Sequence, residues 1–321
     1  MVVAEGAGWS GMGWQAWTDL DRIRARLDAG ADPGSGEGSD PPPLHLAAQE
    51  GSPEVVAELA GRVDDVDAQD EGRTALWRAV YAGRPDNARA LVAAGAHPWR
   101  PMMAGWSPGR LSLAGPTPDL FAPSAGGTGL SDAETAAAAE ARRLIAALGD
   151  FRDLCDEGMG LACVAGISAA EAARRLEATP VEDTAPGSFP DDLSSHEVLY
   201  IVGAADVPGG CVISQPWGYV PSMPEVTDPL SVGTVCYGLY DNPKSGDQGC
   251  ISRDGVTEDW DLYPGGEPSA DDPADEILAS YLYRDHAVAY SCAYAGLRLT
   301  DARAITSPDV WLRLPPHHYW H

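Results

Sequence analysis

The sequence predicts a multidomain α+β protein, with a helical repeat solenoid in residues 1–149 and an α+β domain with a mainly antiparallel sheet in residues 150–321. Two observations favour this fold class. Helix-forming segments recur at a fixed spacing within the first hundred residues, and beyond residue 150 short runs rich in Val, Ile, Tyr and Cys precede the last helical patterns. Strands grouped together and then followed by helices are typical of an antiparallel sheet. The length of 321 residues also fits about two domains.

The clearest pattern is a segment that occurs twice, 32 residues apart. The run PLHLAAQEG at residues 43–51 returns in degraded form as ALWRAVYAG at residues 75–83. Three pairs of positions keep this spacing: Leu44 and Leu76, Gly51 and Gly83, and Leu59 and Leu91. The period and the P-L-H-x-A start resemble the ankyrin repeat, which is a β-turn followed by two antiparallel helices. The resemblance implies a stack of helix pairs that binds another protein along its turn tips and inner helices.

Flanking segments extend this pattern to three or four repeats and a cap helix. Residues 14–33 are predicted to form a first repeat, because AGADP at 29–33 matches AGAHP at 94–98. Residues 107–114 resemble the start of a fourth repeat, and residues 131–149 are predicted to be a cap helix or a connector that opens with a capping box of Ser131 and Glu134. Gly51, Gly83 and Gly95 lie where helices end, and we expect a positive φ angle there.

The second half is predicted to contain strands and then helices. The expected strands lie at 161–165, 196–202, 211–214 and 233–240, and Asp254-Gly255 predicts a type I′ hairpin. The expected helices lie at 168–176, from residue 272, and at 286–296. This order also resembles an uncharacterised bacterial α+β domain family, through RRL at 174–176, SQPWG at 214–218 and SVGTV at 231–235. The resemblance implies no activity.

Charge restricts the class of partner. The formal net charge is -27 and the isoelectric point is about 4.3, and residues 150–321 hold 28 acidic against 9 basic residues. Such a field repels phosphate groups, so we expect no nucleic acid and no membrane as a partner, and we expect another protein instead.

Other sequence features favour a cytoplasmic protein. The N-terminus lacks the basic and apolar segments of a secretory signal, and no stretch approaches the roughly 18 apolar residues of a membrane helix. Six cysteines without a C-x-x-C pair are better explained as buried thiols than as a disulfide framework. A single lysine, Lys244, among abundant Arg, Ala and Gly favours a GC-rich bacterial genome.

No sequence motif predicts a catalytic residue, a metal or a cofactor. The G-x-G-x-x-G match at residues 6–11 lacks the βαβ unit that a dinucleotide site needs. The histidines at 317, 318 and 321 are expected to lie in a solvated tail. The acids at 271–276 lack the alternating ligands of a calcium loop and are typical of a helix N-terminus.

The ankyrin resemblance implies a binding surface on the two clear repeats. It places six side chains at turn-tip and inner-helix positions: Gln49, Glu50, Glu71, Arg73, Arg78 and Tyr81. Arg and Tyr are enriched in interface hot spots. Trp77 stands where His45 stands one repeat earlier, so we expect no turn hydrogen bond there. The sequence therefore predicts a non-catalytic regulator or scaffold that binds a protein, and the alternative is that so few repeats only buttress the second domain.

A second candidate surface is aromatic and lies in the C-terminal domain. It comprises Trp217, Tyr219 and Trp260. The alternative function is an enzyme or a small-ligand-binding protein with its site in this domain, near Trp217, the acidic strand ends and His196. A deep pocket with converging carboxylates would favour that alternative, and a filled sheet face would favour binding of a protein.

Overall fold

A computed structural model describes residues 8–34, 36, 40–122, 129–149, 158–181, 197–242, 244 and 246–319. The chain divides into two compact units, residues 1–138 with 268–281, and residues 139–267 with 282–321. The sequence predicts a single boundary at residue 149, and the two compact units differ from that prediction in two places. The helix over residues 132–148 crosses the boundary, and residues 268–281 join the first unit although they come late in the sequence.

The first unit is a stack of helix pairs. Its helices and hairpin strands are α1 (Leu20–Asp28), α2 (Pro43–Glu50), α3 (Pro53–Ala60), β1 (Gln69–Asp70), β2 (Arg73–Thr74), α4 (Ala75–Tyr81), α5 (Pro85–Ala93), α6 (Pro108–Ala114) and the start of α7 (Asp132–Leu148). One 3-10 helix, Trp14–Thr18, precedes α1, and another, Met103–Gly105, precedes α6. The inner helices α2, α4 and α6 pack side by side, as do the outer helices α1, α3 and α5. The predicted helical solenoid is confirmed.

Local sequence explains where these helices begin. The hydroxyls of Ser52, Thr74 and Ser107 accept hydrogen bonds from backbone N–H groups three residues later, at 3.4, 3.1 and 3.1 Å. Such N-caps satisfy amides that have no partner within the helix. The predicted capping box at α7 is also present, because the Ser131 amide donates to the Glu134 carboxylate at 2.7 Å and the Glu134 amide donates to the Ser131 hydroxyl at 3.2 Å.

The glycines at the helix ends serve two different purposes. Gly83 and Gly95 have φ angles of 66° and 105°, as expected. Gly51 has a φ of −86°, so the expectation of a positive φ is wrong there. A Cβ atom on Gly51 would lie 2.6 Å from the carbonyl oxygen of Ala47 and 2.7 Å from that of Trp17. Close approach of two backbones therefore requires glycine at position 51.

The second unit is built on an eight-stranded antiparallel sheet, counted over the described residues. Its strands are β3 (Met159–Ala165), β4 (Thr179–Pro180), β5 (Ile201–Val207), β6 (Gly210–Pro216), β7 (Val235–Asp241), β8 (Gln248–Arg253), β9 (Val256–Asp261) and β10 (Val310–Arg313). Their order is β4-β10-β5-β6-β3-β7-β8-β9. Its helices are the end of α7, α8 (Ala169–Arg175), α9 (Pro224–Leu230), the last residues of α10 (Ala274–Tyr283), α11 (Ala287–Tyr294) and α12 (Arg303–Thr306). Together with the helical first unit, this sheet confirms the α+β multidomain class.

Helices cover both faces of the sheet, and successive side chains of the central strand β3 serve opposite faces. Leu161 and Cys163 pack in one cluster with side chains of α7 and α11. Ala162 and Val164 pack in the other with side chains of α8 and α9. Because both faces are filled, β3 is apolar along nearly its whole length.

Sequence patterns located some of these elements better than others. The Asp254-Gly255 hairpin is confirmed, with φ angles of 51° and 88° in the turn between β8 and β9. The strand expected from residue 196 begins instead at Ile201, after a 3-10 helix at Val198–Tyr200, and residue 196 lies outside the described residues. Helix α9 was not predicted, because its two prolines, Pro224 and Pro229, are more typical of a loop.

Candidate protein-interaction surface

The tip of the third repeat is a two-residue hairpin. Strands β1 and β2 pair with Gln69 opposite Thr74 and Asp70 opposite Arg73. Glu71 and Gly72 between them have φ angles of 48° and 77°, which is the geometry of a type I′ turn. The Glu71 side chain is 76% exposed, so this tip presents a carboxylate to solvent.

A chain of polar contacts links four of the predicted surface positions and one neighbour in the hairpin. The Arg78 guanidinium donates to the Gln49 side-chain oxygen at 3.5 Å and to the Asp70 carboxylate at 3.1 Å. Asp70 lies opposite Arg73 in the hairpin, and Arg73 donates to the Glu71 carboxylate at 3.2 Å. Inner helices α2 and α4 and the hairpin therefore bring these side chains to one surface.

Burial divides the six predicted residues into two groups. Glu71 is exposed and Gln49 and Glu50 are half-buried. Arg73, Arg78 and Tyr81 are buried, with exposures of 7%, 6% and 5%. Their role in contacting a partner stays a prediction, and the structure shows what covers two of them.

Residues 268–281, which we call the strap, contact the same tips and inner helices. The Arg73 guanidinium donates a hydrogen bond to the carbonyl oxygen of Pro268. The rings of Tyr81 and Tyr281 lie 5.9 Å apart between centroids. The indole N–H of Trp106, next to the start of α6, donates to the carbonyl oxygen of Ala274 at 2.8 Å. Sequence analysis missed both Trp106 and the strap, because nothing in their local pattern indicates that the two segments meet.

His45 and Trp77 occupy equivalent positions of successive repeats. His45 is buried and its Nε2 lies 3.1 Å from the carbonyl oxygen of Arg73, which ties α2 to the next hairpin. Burial lowers the pKa of His45, and the nearby Arg78 charge acts in the same direction. Trp77 is 1% exposed, so its ring fills the equivalent place by packing.

The aromatic residues proposed for the second unit do not lie together. Trp217 follows β6 and is 58% exposed, and the ring of Tyr219 lies 5.6 Å from that of Tyr240. Trp260 is on β9, and strands β3, β7 and β8 lie between β6 and β9. At about 4.8 Å per strand, Trp217 and Trp260 are separated by roughly 19 Å. A single ligand site formed by both is therefore not supported by the sheet order.

A cavity in the second unit is separate from these aromatic residues. Carboxylates of Asp206, Asp301 and Asp309 line it, together with Arg303. Asp206 accepts a hydrogen bond from the Ala169 amide at 2.6 Å, Asp309 accepts one from the Asp206 amide at 3.2 Å, and Asp301 pairs with Arg303 at 3.0 Å. These carboxylates therefore already have partners within the fold. His196, named for the alternative enzyme function, lies outside the described residues.

Thiol chemistry and metal binding receive no geometric support in the part of the chain that the structure describes. Its cysteines are free and buried, and burial raises the pKa of Cys211 to about 12, which disfavours the reactive thiolate. No group of three or more potential ligands that could hold a metal is found among the described residues. The glycine pattern at 6–11 leads into the 3-10 helix Trp14–Thr18, and residues 6 and 7 lie outside the described residues.

Comparisons with known proteins agree with the helix pairs of the first unit. A family model described as ankyrin repeats matches residues 18–101 in three copies. A search of curated proteins finds no match to this chain. Among the described residues, no helix combines the length and apolar character needed to cross a membrane. The looser resemblance of residues 150–321 to a bacterial domain family stays a prediction. Sequence match and structure together assign three ankyrin repeats to residues 18–101.

Proposed function

We propose that this chain is a non-catalytic protein-binding regulator or scaffold that recognises another protein through the tips and inner helices of its repeats. The observation that supports this most is the set of polar contacts that joins Gln49, Arg78 and Asp70 and, across the hairpin pair, Arg73 and the exposed Glu71. Stacked repeats hold such side chains on rigid helices, so little conformational entropy is lost when a partner binds.

Charge supports a partner with basic or neutral side chains. The exposed carboxylate of Glu71 lies at the hairpin tip, and the whole chain carries a formal net charge of -27. Complementary charge mainly raises the association rate and excludes wrong partners. The same charge disfavours phosphate-rich partners, which supports the proposal of a protein partner in the cytoplasm.

A charge-reversal variant of the full chain tests this proposal. Cross-linking in the source cells identifies proteins captured by the wild type, and the affinity of each is then measured with purified components. We expect Gln49→Arg/Glu50→Arg/Glu71→Arg to weaken the true partner at least tenfold, because the tip surface becomes basic.

The matched control places the same charge change on outer helices and their loop. Asp28→Arg/Ala57→Arg/Asp64→Arg also makes the net charge more positive by five, at exposed positions away from the hairpin tip. If the tip variant binds the partner as tightly as the wild type, or if the control variant loses as much affinity as the tip variant, the proposal that this surface binds the partner is wrong.

A further inference from the structure

The strap is a late segment of the chain that contacts the repeats as a peptide ligand would. Residues 268–281 belong to the first compact unit, while the residues before and after them belong to the second. Gly265 and Gly266 precede the strap, and Gly265 has a φ of 70°. A turn, in which the Asp272 amide donates to the carbonyl oxygen of Ser269 at 3.3 Å and the Ser269 amide donates to the Asp272 carboxylate at 2.7 Å, leads into the helix α10, which begins at Ala274.

Two side chains of the first unit donate hydrogen bonds to main-chain carbonyl groups of the strap. Arg73 on the hairpin donates to the carbonyl oxygen of Pro268, and Trp106 donates to that of Ala274. A side chain that donates to a backbone carbonyl group recognises the position of the backbone, so this contact does not depend on which side chains the bound segment carries. Arg73 lies at the start of the third repeat and Trp106 lies just before α6, which packs on α4, so the strap runs along the stack from the hairpin towards α6.

Apolar side chains of α10 are also buried, and one of them contacts an inner helix. Ile277, Leu278 and Tyr281 are 0%, 4% and 3% exposed, and Tyr281 meets the Tyr81 ring and the backbone of Gly115. Tyr281 lies four residues after Ile277 and three after Leu278, which places all three on one side of the helix. This combination is the helix-in-groove mode by which amphipathic peptides bind proteins.

The acidic side chains of the strap lie close together and repel one another. Asp271, Asp275 and Glu276 are exposed and half-buried Asp272 lies among them. Burial and the nearby charges of Asp272 and Asp275 raise the pKa of Glu276. Carboxylates crowded in this way repel one another when ionised, so they add nothing to the two carbonyl anchors and the Tyr281 contact that hold the strap.

We infer that the strap is a built-in ligand of the repeats, and that an external partner of the same chemistry binds by displacing it. That partner segment is a turn followed by a helix with Ile, Leu and Tyr-like side chains on one side. This inference rests on the proposed function, because it assigns the regulation of that same surface. It explains why Arg73 and Tyr81, two residue types enriched in hot spots, are buried.

A labelled synthetic peptide of residues 266–284 is the probe for this inference. Its binding to the full chain is measured by fluorescence anisotropy. We expect the wild type to bind it at least tenfold more weakly than Ile277→Asp/Tyr281→Ala, in which the internal strap is released. Asp271→Lys/Asp275→Lys changes only exposed strap positions and should exclude the peptide as the wild type does. A released variant that keeps protected amides in α2–α5 but binds no peptide would overturn the inference.

Hydrogen exchange on the wild type gives an independent answer if the released variant does not fold. A ligand-like strap opens without the repeats, so amides of residues 277–281 should exchange at least tenfold faster than those of α4 and α5. Equal rates would show that strap and repeats unfold together and would overturn the inference. Neither measurement needs an external partner, so a failure of the proposed function in the cross-linking experiment is recognised separately.

Discussion

The two compact units are organised by opposite kinds of contact. In the first, each helix packs on its counterpart in the neighbouring repeat, as α2 does on α4 and α3 on α5. In the second, Met159 at the start of β3 pairs with Pro216 on one side and with Asp241 on the other. Local contacts can form repeat by repeat, whereas the sheet requires distant segments to meet. Similar burial of core side chains can therefore be produced by repeated local helix contacts, as in the first unit, or by pairing of strands distant in sequence, as in the second.

The largest expected effect tests whether each core stabilises its own unit. Leu59 in the repeats and Leu161 in β3 are both fully buried, so each change to Ala should cost about 2–5 kcal/mol. Hydrogen exchange should accelerate in α2–α5 for Leu59→Ala and in β3, β6 and β7 for Leu161→Ala. Val232→Ala, at an exposed position, should stay within about 0.5 kcal/mol. The same exchange pattern in both core variants would break the comparison.

A polar anchor specific to the repeats gives the next largest effect. The Asn87 side-chain amide is buried and donates to the carbonyl oxygens of Ala47, Ala48 and Gly51, at 3.3, 3.0 and 3.0 Å. Asn87→Ala removes this donor from all three carbonyls, of which that of Ala47 keeps the Gly51 amide, and should cost about 1–3 kcal/mol in the free energy of unfolding. Denaturant titration measures this loss. Arg89→Ala on the exposed side of the same helix is the control, and an equal cost there would show that Asn87 is no anchor.

The pH dependence of stability should distinguish His45, which can take up a proton, from Trp77, which cannot. Because the pKa of folded His45 is lowered, the folded chain keeps the imidazole neutral while the unfolded chain takes up a proton below pH about 6.5. Stability contributed by His45 is therefore present above that pH and is lost as the pH falls. Thermal melts at pH 7.5 and 5.5 should show a larger decrease for wild type than for His45→Gln. Equal decreases would place the pH dependence on other groups.

The smallest effect concerns the strap. The raised pKa of Glu276 means that ionisation of this carboxyl destabilises the folded state above its ordinary pKa, and this penalty disappears as the pH falls. Glu276→Gln should therefore slow exchange of strap amides at neutral pH, by no more than about 0.5 kcal/mol because the side chain is exposed and screened. Asp271→Asn is the control. Faster exchange in Glu276→Gln would contradict the assigned repulsion.

Sequence alone predicts the repeats well because their information is local and periodic. Spacing of Leu44 and Leu76 fixes two inner helices, and the prolines at 53 and 85 mark the starts of two outer helices. The hairpin between β8 and β9 was found for a similar reason, since Asp-Gly favours a type I′ turn wherever it occurs.

The missed features depend on contacts between distant segments. Ile277, Leu278 and Tyr281 form an ordinary amphipathic pattern that does not indicate which surface it covers. Gly51 was correctly placed at a helix end, but the backbone of Trp17 that requires it is visible only in the folded repeats. In the sheet, the order β6-β3-β7 is decided by packing on both faces of β3, which residue periodicity cannot specify.

The discontinuous first unit has a consequence during synthesis. Trp106 and the carbonyl group of Ala274 that it binds are 168 residues apart in the chain. At roughly 5–20 residues per second, a ribosome needs on the order of ten to thirty seconds to make the intervening segment. The nascent repeats therefore leave the ribosome before the strap that contacts Arg73 and Tyr81 has been made. During that interval the strap cannot compete with a chaperone or another protein for contact with these side chains.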